Sequence, residues 1–184
     1  MTDRERLLSA IRKKAYREGD FTLASGKKSD YYIDMKEVTL GAQGSHLIGK
    51  EVFDLIKSWD VDAVGGMELG SVPISTAVSV VSAIEGAPLN NFIVRKEAKG
   101  HGTGKKIEGK VGEGTRVAIV EDVVSTGGSS IKAIDVLISA GIEIAGVATI
   151  VDREMGGREA FESRGIRFEP LFTISEIKSG SKAP

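Results

Sequence analysis

The segment from Val117 to Ser130 combines carboxylates, hydroxyls and glycines in an order that can bind a phosphorylated sugar. It opens with an apolar strand, continues with Glu121 and Asp122, and ends in small residues at the start of a helix. A glycine-rich turn at a helix N-terminus presents unpaired N–H groups and a positive dipole end, which together bind phosphate. Ligands of open α/β sheets bind at the carboxyl ends of strands, so the two acids are placed to meet the vicinal hydroxyls of a ribose.

A simpler interpretation of this segment is a strand, a turn and a capped helix without a ligand, because Ser, Thr and Gly are common at such boundaries. Val123 and Val124 make the predicted turn largely apolar, however, and an unpaired charge is costly to bury there. The two adjacent acids therefore favour a polar ligand.

A second candidate phosphate site proves weaker. Residues 44–51 match the phosphate-loop pattern of nucleotide hydrolases up to the last position, where Glu51 replaces the Ser or Thr that would hold magnesium. No apolar strand precedes Gly44, and the apolar positions continue in helical phase through the match. We therefore predict an ordinary helix here.

The chain between Arg95 and Lys105 combines cations with glycines, and we name it the glycine-rich loop. Such a loop can fold over a polyanion, neutralise a leaving diphosphate and exclude water. A solvated linker and an arm that binds nucleic acid are the alternatives for a charge run of this kind. The polar stretch continues to Gly114, which is long for a connection between two elements and favours a functional role.

Around these segments the chain alternates apolar strands with helices, which predicts an α/β fold with a mainly parallel sheet and helices on both faces. An opening helix is expected between Thr2 and Glu18, ended by Gly19, and two short strands at 21–23 and 31–34 follow it. The other predicted elements are strands 63–65, 91–94, 117–120 and 144–151, and helices 47–56, 72–83 and 129–140.

Length and composition exclude several classes of protein. The 184 residues fit a single domain, 1–184, and the net charge of -1 offers nucleic acid no global positive field. Disulfides and thiolate metal sites are excluded because cysteine is absent, and the presence of only two histidines, His46 and His101, argues against zinc as the metal. The N-terminal residues do not form a signal peptide, and no apolar run is long enough to cross a bilayer. We expect a cytoplasmic protein that binds neither membrane nor nucleic acid.

The sequence VAIVEDVVSTGGSS, residues 117–130, resembles the phosphoribosyl diphosphate signature of the type I phosphoribosyltransferases. The resemblance implies the type I phosphoribosyltransferase fold, a mainly parallel sheet flanked by helices with a small N-terminal hood. We expect the hood at residues 1–40, the α/β core at 41–177 and a flexible tail at 178–184. The resemblance also implies that the sugar donor contacts Glu121, Asp122, Val123, Val124, Ser125, Thr126, Gly127, Gly128 and Ser129.

Three further segments resemble the orotate phosphoribosyltransferases. They are RKEAKGHGTG at residues 95–104, FTLASGKKSDYYIDMK at 21–36 and IVDR at 150–153. The first is similar to the mobile catalytic loop of that family. The likeness therefore spans most of the chain.

The resemblance gives the glycine-rich loop specific roles. Arg95 and Lys99 would contact the diphosphate from the neighbouring subunit, and Lys96 would contact it from its own subunit. His101 would also come from this loop, and either it or Lys99 would protonate the leaving group. With Asp122, these two residues form the implied catalytic set.

Ser125 and Arg153 are implied to hold orotate. A guanidinium presents a planar fork to a carboxylate, and orotate differs from uracil by its carboxylate. The alternative for Arg153 is a surface ion pair with Asp152 or Glu154.

The implied reaction is displacement at the anomeric carbon of phosphoribosyl diphosphate, in which a nitrogen of orotate enters and diphosphate leaves. Magnesium would be the cofactor, held by the diphosphate and the ribose hydroxyls with few ligands from the protein. A homodimer with shared active sites is implied as well, because the loop of that family reaches into the partner's site.

Two positions depart from many bacterial members of that family, which carry basic residues where this chain has Ala24 and Gly70. The sequence MELGSVP at residues 67–73 resembles instead the loop of archaeal-type members. Diphosphate binding would then depend more on the glycine-rich loop and on backbone amides from Leu69 to Ser71.

Two other functions compete with this one. A phosphoribosyltransferase for another base is disfavoured by Arg153 and by the glycine-rich loop. A regulator that senses phosphoribosyl diphosphate without turnover would need an element that reads DNA or RNA, and the sequence has neither a helix-turn-helix pattern nor a basic face.

Overall fold

The computed structural model describes residues 1–22, 26, 28–97 and 105–180. The strands are β1 (Tyr16–Thr22), β2 (Lys28–Ile33), β3 (Ala63–Met67), β4 (Asn90–Val94), β5 (Ile107–Gly109), β6 (Arg116–Val124), β7 (Glu143–Asp152) and β8 (Phe168–Thr173). The helices are α1 (Asp3–Ala10), α2 (Lys36–Thr39), α3 (Ala42–Ile56), α4 (Ser71–Ile84), α5 (Gly128–Ser139), α6 (Gly157–Glu162) and α7 (Ile174–Ser179). Within these ranges, no helix has the length and apolar character needed to span a membrane.

A six-stranded sheet lies at the centre of the protein, in the order β5-β4-β3-β6-β7-β8. All its neighbouring strands are parallel except β4 and β5, which confirms the prediction of a mainly parallel sheet. Its strands are apolar on both faces because helices cover both. Along β6, Ala118 and Val120 pack with α3 and α4, whereas Val117 and Ile119 pack with α5.

The strand β6 is longer than predicted. The sequence pattern ended this strand at Val120 and put Glu121 and Asp122 in the turn, but the strand continues through both acids to Val124. Its neighbour β7 is also long and pairs with this extension, for example Glu121 with Thr149 and Val124 with Asp152. Pairing with a long central neighbour outweighs the low strand propensity of the acidic residues.

The N-terminal region also differs from the prediction. The helix α1 ends at Ala10, a π-helical turn covers Ile11–Ala15, and the chain then enters β1, which contains Gly19. Strand pairing explains the change, because β1 and β2 form a two-stranded antiparallel sheet in which the buried ring of Tyr16 lies 5.9 Å from that of Tyr31. This hairpin corresponds to the small hood expected from the resemblance.

The nucleotide-hydrolase match at residues 44–51 lies inside α3, as predicted. Gly44 serves packing in this helix, since a Cβ there would lie 2.1 Å from the carbonyl oxygen of Val38. The predicted start of the flexible tail, residue 178, is wrong because it lies within a helix. Lys178 belongs to α7, and its ammonium group lies 2.9 Å from Asp30 Oδ2, while residues 181–184 lie outside the described ranges.

Candidate active site

The connection from β6 to α5 and the first two residues of α5 form the phosphate loop, residues 125–129. Gly127 has a φ of 78°, which favours glycine, and a Cβ at this position would make a tight contact of 3.0 Å with the ring of Phe161. Helix α5 begins at Gly128, and its first N–H groups have no partner within the helix. A cavity of about 350 Å³ opens over this loop, lined by Glu121, Val123, Val124, Ser125, Thr126, Gly127, Gly128, Ser129, Ser130 and Lys132. The loop can therefore hold a phosphate group, as the sequence predicts.

The two acids of β6 lie in different surroundings. Successive strand residues point to opposite faces of a sheet, so Glu121 points towards α5 and Asp122 towards α4. Glu121 is buried, with Oε2 3.4 Å from the hydroxyl of Ser130 in α5. Asp122 is half-buried and accepts a hydrogen bond of 2.8 Å from the amide of Val123. They do not form a symmetric pair of ribose ligands.

Burial, and secondarily the neighbouring Asp122, raises the pKa of Glu121 to about 8. The Glu121 side chain is therefore mostly protonated at neutral pH. A neutral carboxyl can be buried without a cation beside it, and it adds no negative charge next to a phosphorylated ligand.

Gly70 brings the connection between β3 and α4 against Asp122. A Cβ at Gly70 would lie 2.7 Å from Asp122 Oδ1, so any side chain here requires the carboxylate to move. Lys36 is a cation near Asp122, and its ammonium group lies 2.8 Å from Asp34. The carboxylate of Asp34 and, more weakly, that of Asp122 raise the pKa of Lys36. Gly70, where many bacterial members of the orotate family carry a basic residue, is therefore a position at which the backbone packs closely against Asp122.

The structure brings Arg153 to the phosphate loop, beside Ser125, the other residue predicted to hold orotate. Its Nη1 lies 3.5 Å from the hydroxyl of Ser125, and the Arg153 amide donates to the carbonyl of Val124 at 2.8 Å. The hood completes this site, because Nε donates to the hydroxyl of Tyr31 at 2.7 Å and the guanidinium stacks 4.7 Å from that ring. Nη2 lies 3.5 Å from the hydroxyl of Ser29.

The alternative ion pairs for Arg153 are not formed. Asp152 Oδ1 accepts from the amide of Glu154 at 2.8 Å, and Glu154 Oε2 accepts from the amide of Ser175 at 3.0 Å. Arg153 instead contacts neutral hydroxyls. Tyr31 and Ser29 were not singled out from the sequence, although alternation along a strand places them on one face and both fall in the segment that resembles the orotate family.

Arg95 and Lys96 begin the glycine-rich loop at the end of β4. The amide of Lys96 donates to Glu68 Oε1 at 3.0 Å, and Arg95 Nη1 lies 4.0 Å from Glu108. Both residues line a second cavity of about 410 Å³ with Met67, Lys106, Ser129, Lys132, Asp135 and Val136. Lys99 and His101, the predicted catalytic residues of this loop, lie outside the described residues.

Within the described ranges, no group of three or more His, Asp or Glu side chains is arranged to hold a metal ion. The carboxylate of Asp122 at the sheet edge is an oxygen donor of the kind that magnesium prefers.

The fold and the phosphate loop place the chain in a known class. A family model described as the phosphoribosyl transferase domain matches residues 36–161, and the chain belongs to this family. The orotate phosphoribosyltransferase of Aquifex aeolicus is 45% identical over 180 residues, covering 96% of this chain and 98% of the relative.

Solved structures agree. The orotate phosphoribosyltransferase of Mycobacterium tuberculosis H37Rv in complex with Fe(III) dicitrate matches with a TM-score of 0.86 and 39% identity, covering 96% of this chain and 99% of that chain. The complex of that enzyme with 5-phospho-α-D-ribosyl 1-diphosphate has a TM-score of 0.82 at 35% identity, with coverage of 96% and 99%. The type I phosphoribosyltransferase fold is therefore confirmed.

The raised pKa of Glu121 predicts how stability depends on pH. Above the ordinary value of 4.5 the unfolded carboxyl loses its proton, whereas the folded one keeps it up to about 8. The unfolded state then binds fewer protons, so this group lowers the free energy of unfolding as pH rises from about 4.5 to about 8.

Glu121→Gln removes this dependence, because the amide does not titrate. Denaturant unfolding at pH 5, 7 and 8.5 should show the parent losing stability relative to Glu121→Gln as pH rises. Glu159→Gln, at an exposed position of α6, is the matched control. A difference between parent and Glu121→Gln that stays constant with pH would contradict the assignment.

Proposed function

We propose that this protein transfers the phosphoribosyl group of 5-phosphoribosyl 1-diphosphate to orotate, giving orotidine 5'-phosphate and diphosphate in pyrimidine biosynthesis. The observation that carries the proposal is the contact of Arg153 with Ser125 at the edge of the phosphate loop. A cation suited to a carboxylate thus lies beside a site suited to a phosphate. The names of the relatives support the same reaction.

Arg153 selects orotate in this account. Its guanidinium contacts three neutral hydroxyls and an aromatic ring, so its positive charge is free to pair with the carboxylate of a ligand. A bidentate guanidinium–carboxylate pair is both strong and directional. Uracil and the purine bases lack this carboxylate, which argues against the rival reading as a transferase for another base.

The sugar donor would bind along the carboxyl edge of the sheet. Its 5-phosphate would rest on the amides and hydroxyls of the phosphate loop, and its ribose hydroxyls would face Asp122. Its diphosphate would lie between the amides of Leu69–Ser71 and the side chains of Arg95 and Lys96. The remaining cations of the glycine-rich loop would also contact it. This arrangement collects positive charge where the leaving group departs.

In the reaction, a ring nitrogen of orotate forms a bond to the anomeric carbon while the bond from that carbon to diphosphate breaks. The diphosphate leaves with the electron pair, and Lys99 or His101 would supply a proton to it. Positive charge develops on the sugar between these events. Bound magnesium would neutralise the diphosphate, and Asp122 is the residue that would help to hold it.

The proposal includes a homodimer with shared active sites, and an exposed groove between α3 and α4 supports it. The groove has a volume of about 650 Å³ and is mostly apolar. Leu40, Val80 and Ile84 line it with exposures of 70%, 55% and 77%. Exposed apolar side chains gathered in one groove suit contact with another protein surface, and α4 starts beside Gly70 at the active site. A second copy seated here would bring its own loops near that site.

The cytoplasmic location stays a prediction.

An ultraviolet assay of orotate consumption tests the reaction. With phosphoribosyl diphosphate and magnesium, orotate should be consumed in preference to uracil, adenine, guanine and hypoxanthine, and chelation of magnesium should abolish the activity. Arg153→Ala should raise the KM for orotate at least about tenfold, the loss expected for a charge-assisted hydrogen bond, with little change in the KM for the sugar donor.

Arg6→Ala is the matched control, because Arg6 is exposed and pairs with Asp3 within α1, away from the site. Preferred turnover of another base would overturn the substrate assignment. Equal increases in both KM values for Arg153→Ala would mean that this residue has only a structural role.

Hybrid dimers test the shared site. If Lys99 acts in the partner's site, a hybrid of Lys99→Ala and Asp122→Asn subunits contains one intact site and one doubly damaged site. After subunit exchange at equal amounts, half of the dimers are hybrid, so about a quarter of the sites should recover. No recovery after exchange is verified by mass spectrometry would place the loop over its own subunit.

A further inference from the structure

Lys132 lies at the mouth of the phosphate loop although the sequence motif does not include it. It is three residues after Ser129 in α5, so the two side chains share a face of the helix. Helical side chains lean towards the N-terminus, which directs Lys132 back over the phosphate loop. It is accordingly among the residues that line the cavity of about 350 Å³ above this loop.

The charges around Lys132 leave its ammonium group without a partner. Lys132 is the fifth residue of α5, just beyond the first turn, where the partial positive charge of the helix N-terminus has largely fallen off. The nearest acid along this face, Asp135, is paired with Arg164 at 2.7 Å. No hydrogen bond or ion pair joins the Lys132 side chain to another residue within the described ranges. A bound anion would supply its ammonium group with a partner.

The neighbouring cavity points to the same conclusion. Ser129 and Lys132 line it as well, together with the cations Arg95, Lys96 and Lys106. Arg95 Nε is buried there without a hydrogen-bond partner among the described residues. Lys132 thus lies between the two cavities and lines both of them. The cations around the second cavity favour an anionic ligand, as the phosphate loop does in the first.

We propose that Lys132 is a further binding residue for the sugar donor, whose ammonium group pairs with the 5-phosphate held by the phosphate loop. This inference rests on the proposed function for the identity of the donor. The contact is an ion pair at the rim of the site, added to the amides and hydroxyls of residues 125–129. Lys132 takes no part in bond making or breaking.

Binding of ribose 5-phosphate, measured by calorimetry at low ionic strength, tests the inference without catalysis. This ligand carries the 5-phosphate of the donor and neither its diphosphate nor the base. Lys132→Ala should weaken binding about tenfold, as expected for loss of a charged hydrogen bond, and Lys132→Arg should restore most of it. The control is Lys57→Ala, which removes the same charge at the far end of α3.

Steady-state kinetics supply the second readout. Lys132→Ala should raise the KM for phosphoribosyl diphosphate by a similar factor while the KM for orotate stays unchanged. Thermal unfolding should be nearly the same in all three variants, because Lys132 and Lys57 are exposed.

The outcomes separate this inference from the proposed function. Unchanged ribose 5-phosphate binding in Lys132→Ala, in a protein that turns over orotate, would overturn the role of Lys132 and leave the reaction standing. Equal weakening by Lys132→Ala and Lys57→Ala would also overturn it, because the effect would belong to net charge. Weakened binding restricted to Lys132→Ala supports it even if orotate proves not to be the acceptor.

Discussion

The site depends on one strand that must be apolar along most of its length and polar at its end. The strand β6 lies in the middle of the sheet with helices against both faces, so Val117 to Val120 are fully buried. The same strand continues to Val124 and there meets the phosphate loop and the N-terminus of α5. Its pairing with β7 fixes where the acids, the loop and Arg153 lie relative to one another.

Strand alternation gives the two acids of β6 different roles. Glu121 points into the packing between the sheet and α5, where its neutral form and Ser130 make burial tolerable. Asp122 points to the other face, against Gly70 and in the electrostatic reach of Lys36. We therefore expect Asp122 to contribute most of the local negative charge towards the ribose, and Glu121 to support the geometry of the loop.

Much of this arrangement could be predicted from the sequence, and the failures have physical causes. The apolar pattern identified β3, β4, β6 and β7, and the resemblance to the orotate family assigned Ser125 and Arg153 to the same ligand. The predicted end of β6 was wrong because local propensity carries no information about the pairing of this strand with β7. The first part of β1, Tyr16 to Glu18, was taken for helix because Leu7, Leu8 and Ile11 set a helical period that only tertiary pairing ends, whereas its end was predicted as strand.

Contacts between distant segments were beyond the reach of sequence reasoning. Tyr31 holds Arg153 across 122 positions of the chain, and nothing in the local pattern of either segment indicates the pair. Lys132 lies outside the motif and is noticed only when the cavity over the phosphate loop is seen in three dimensions. Gly70 was identified as a departure from a family pattern, but its close approach to Asp122 needed coordinates.

The central claim is that a phosphate on residues 125–129 and a carboxylate on Arg153 belong to one ligand. A crystal structure of the protein with orotidine 5'-phosphate tests it directly. The account predicts phosphate oxygens within hydrogen-bond distance of the phosphate-loop amides, and the base carboxylate within hydrogen-bond distance of the Arg153 guanidinium. A nucleotide bound elsewhere, or one bound at the loop whose carboxylate points away while Arg153 remains on Tyr31, would contradict it.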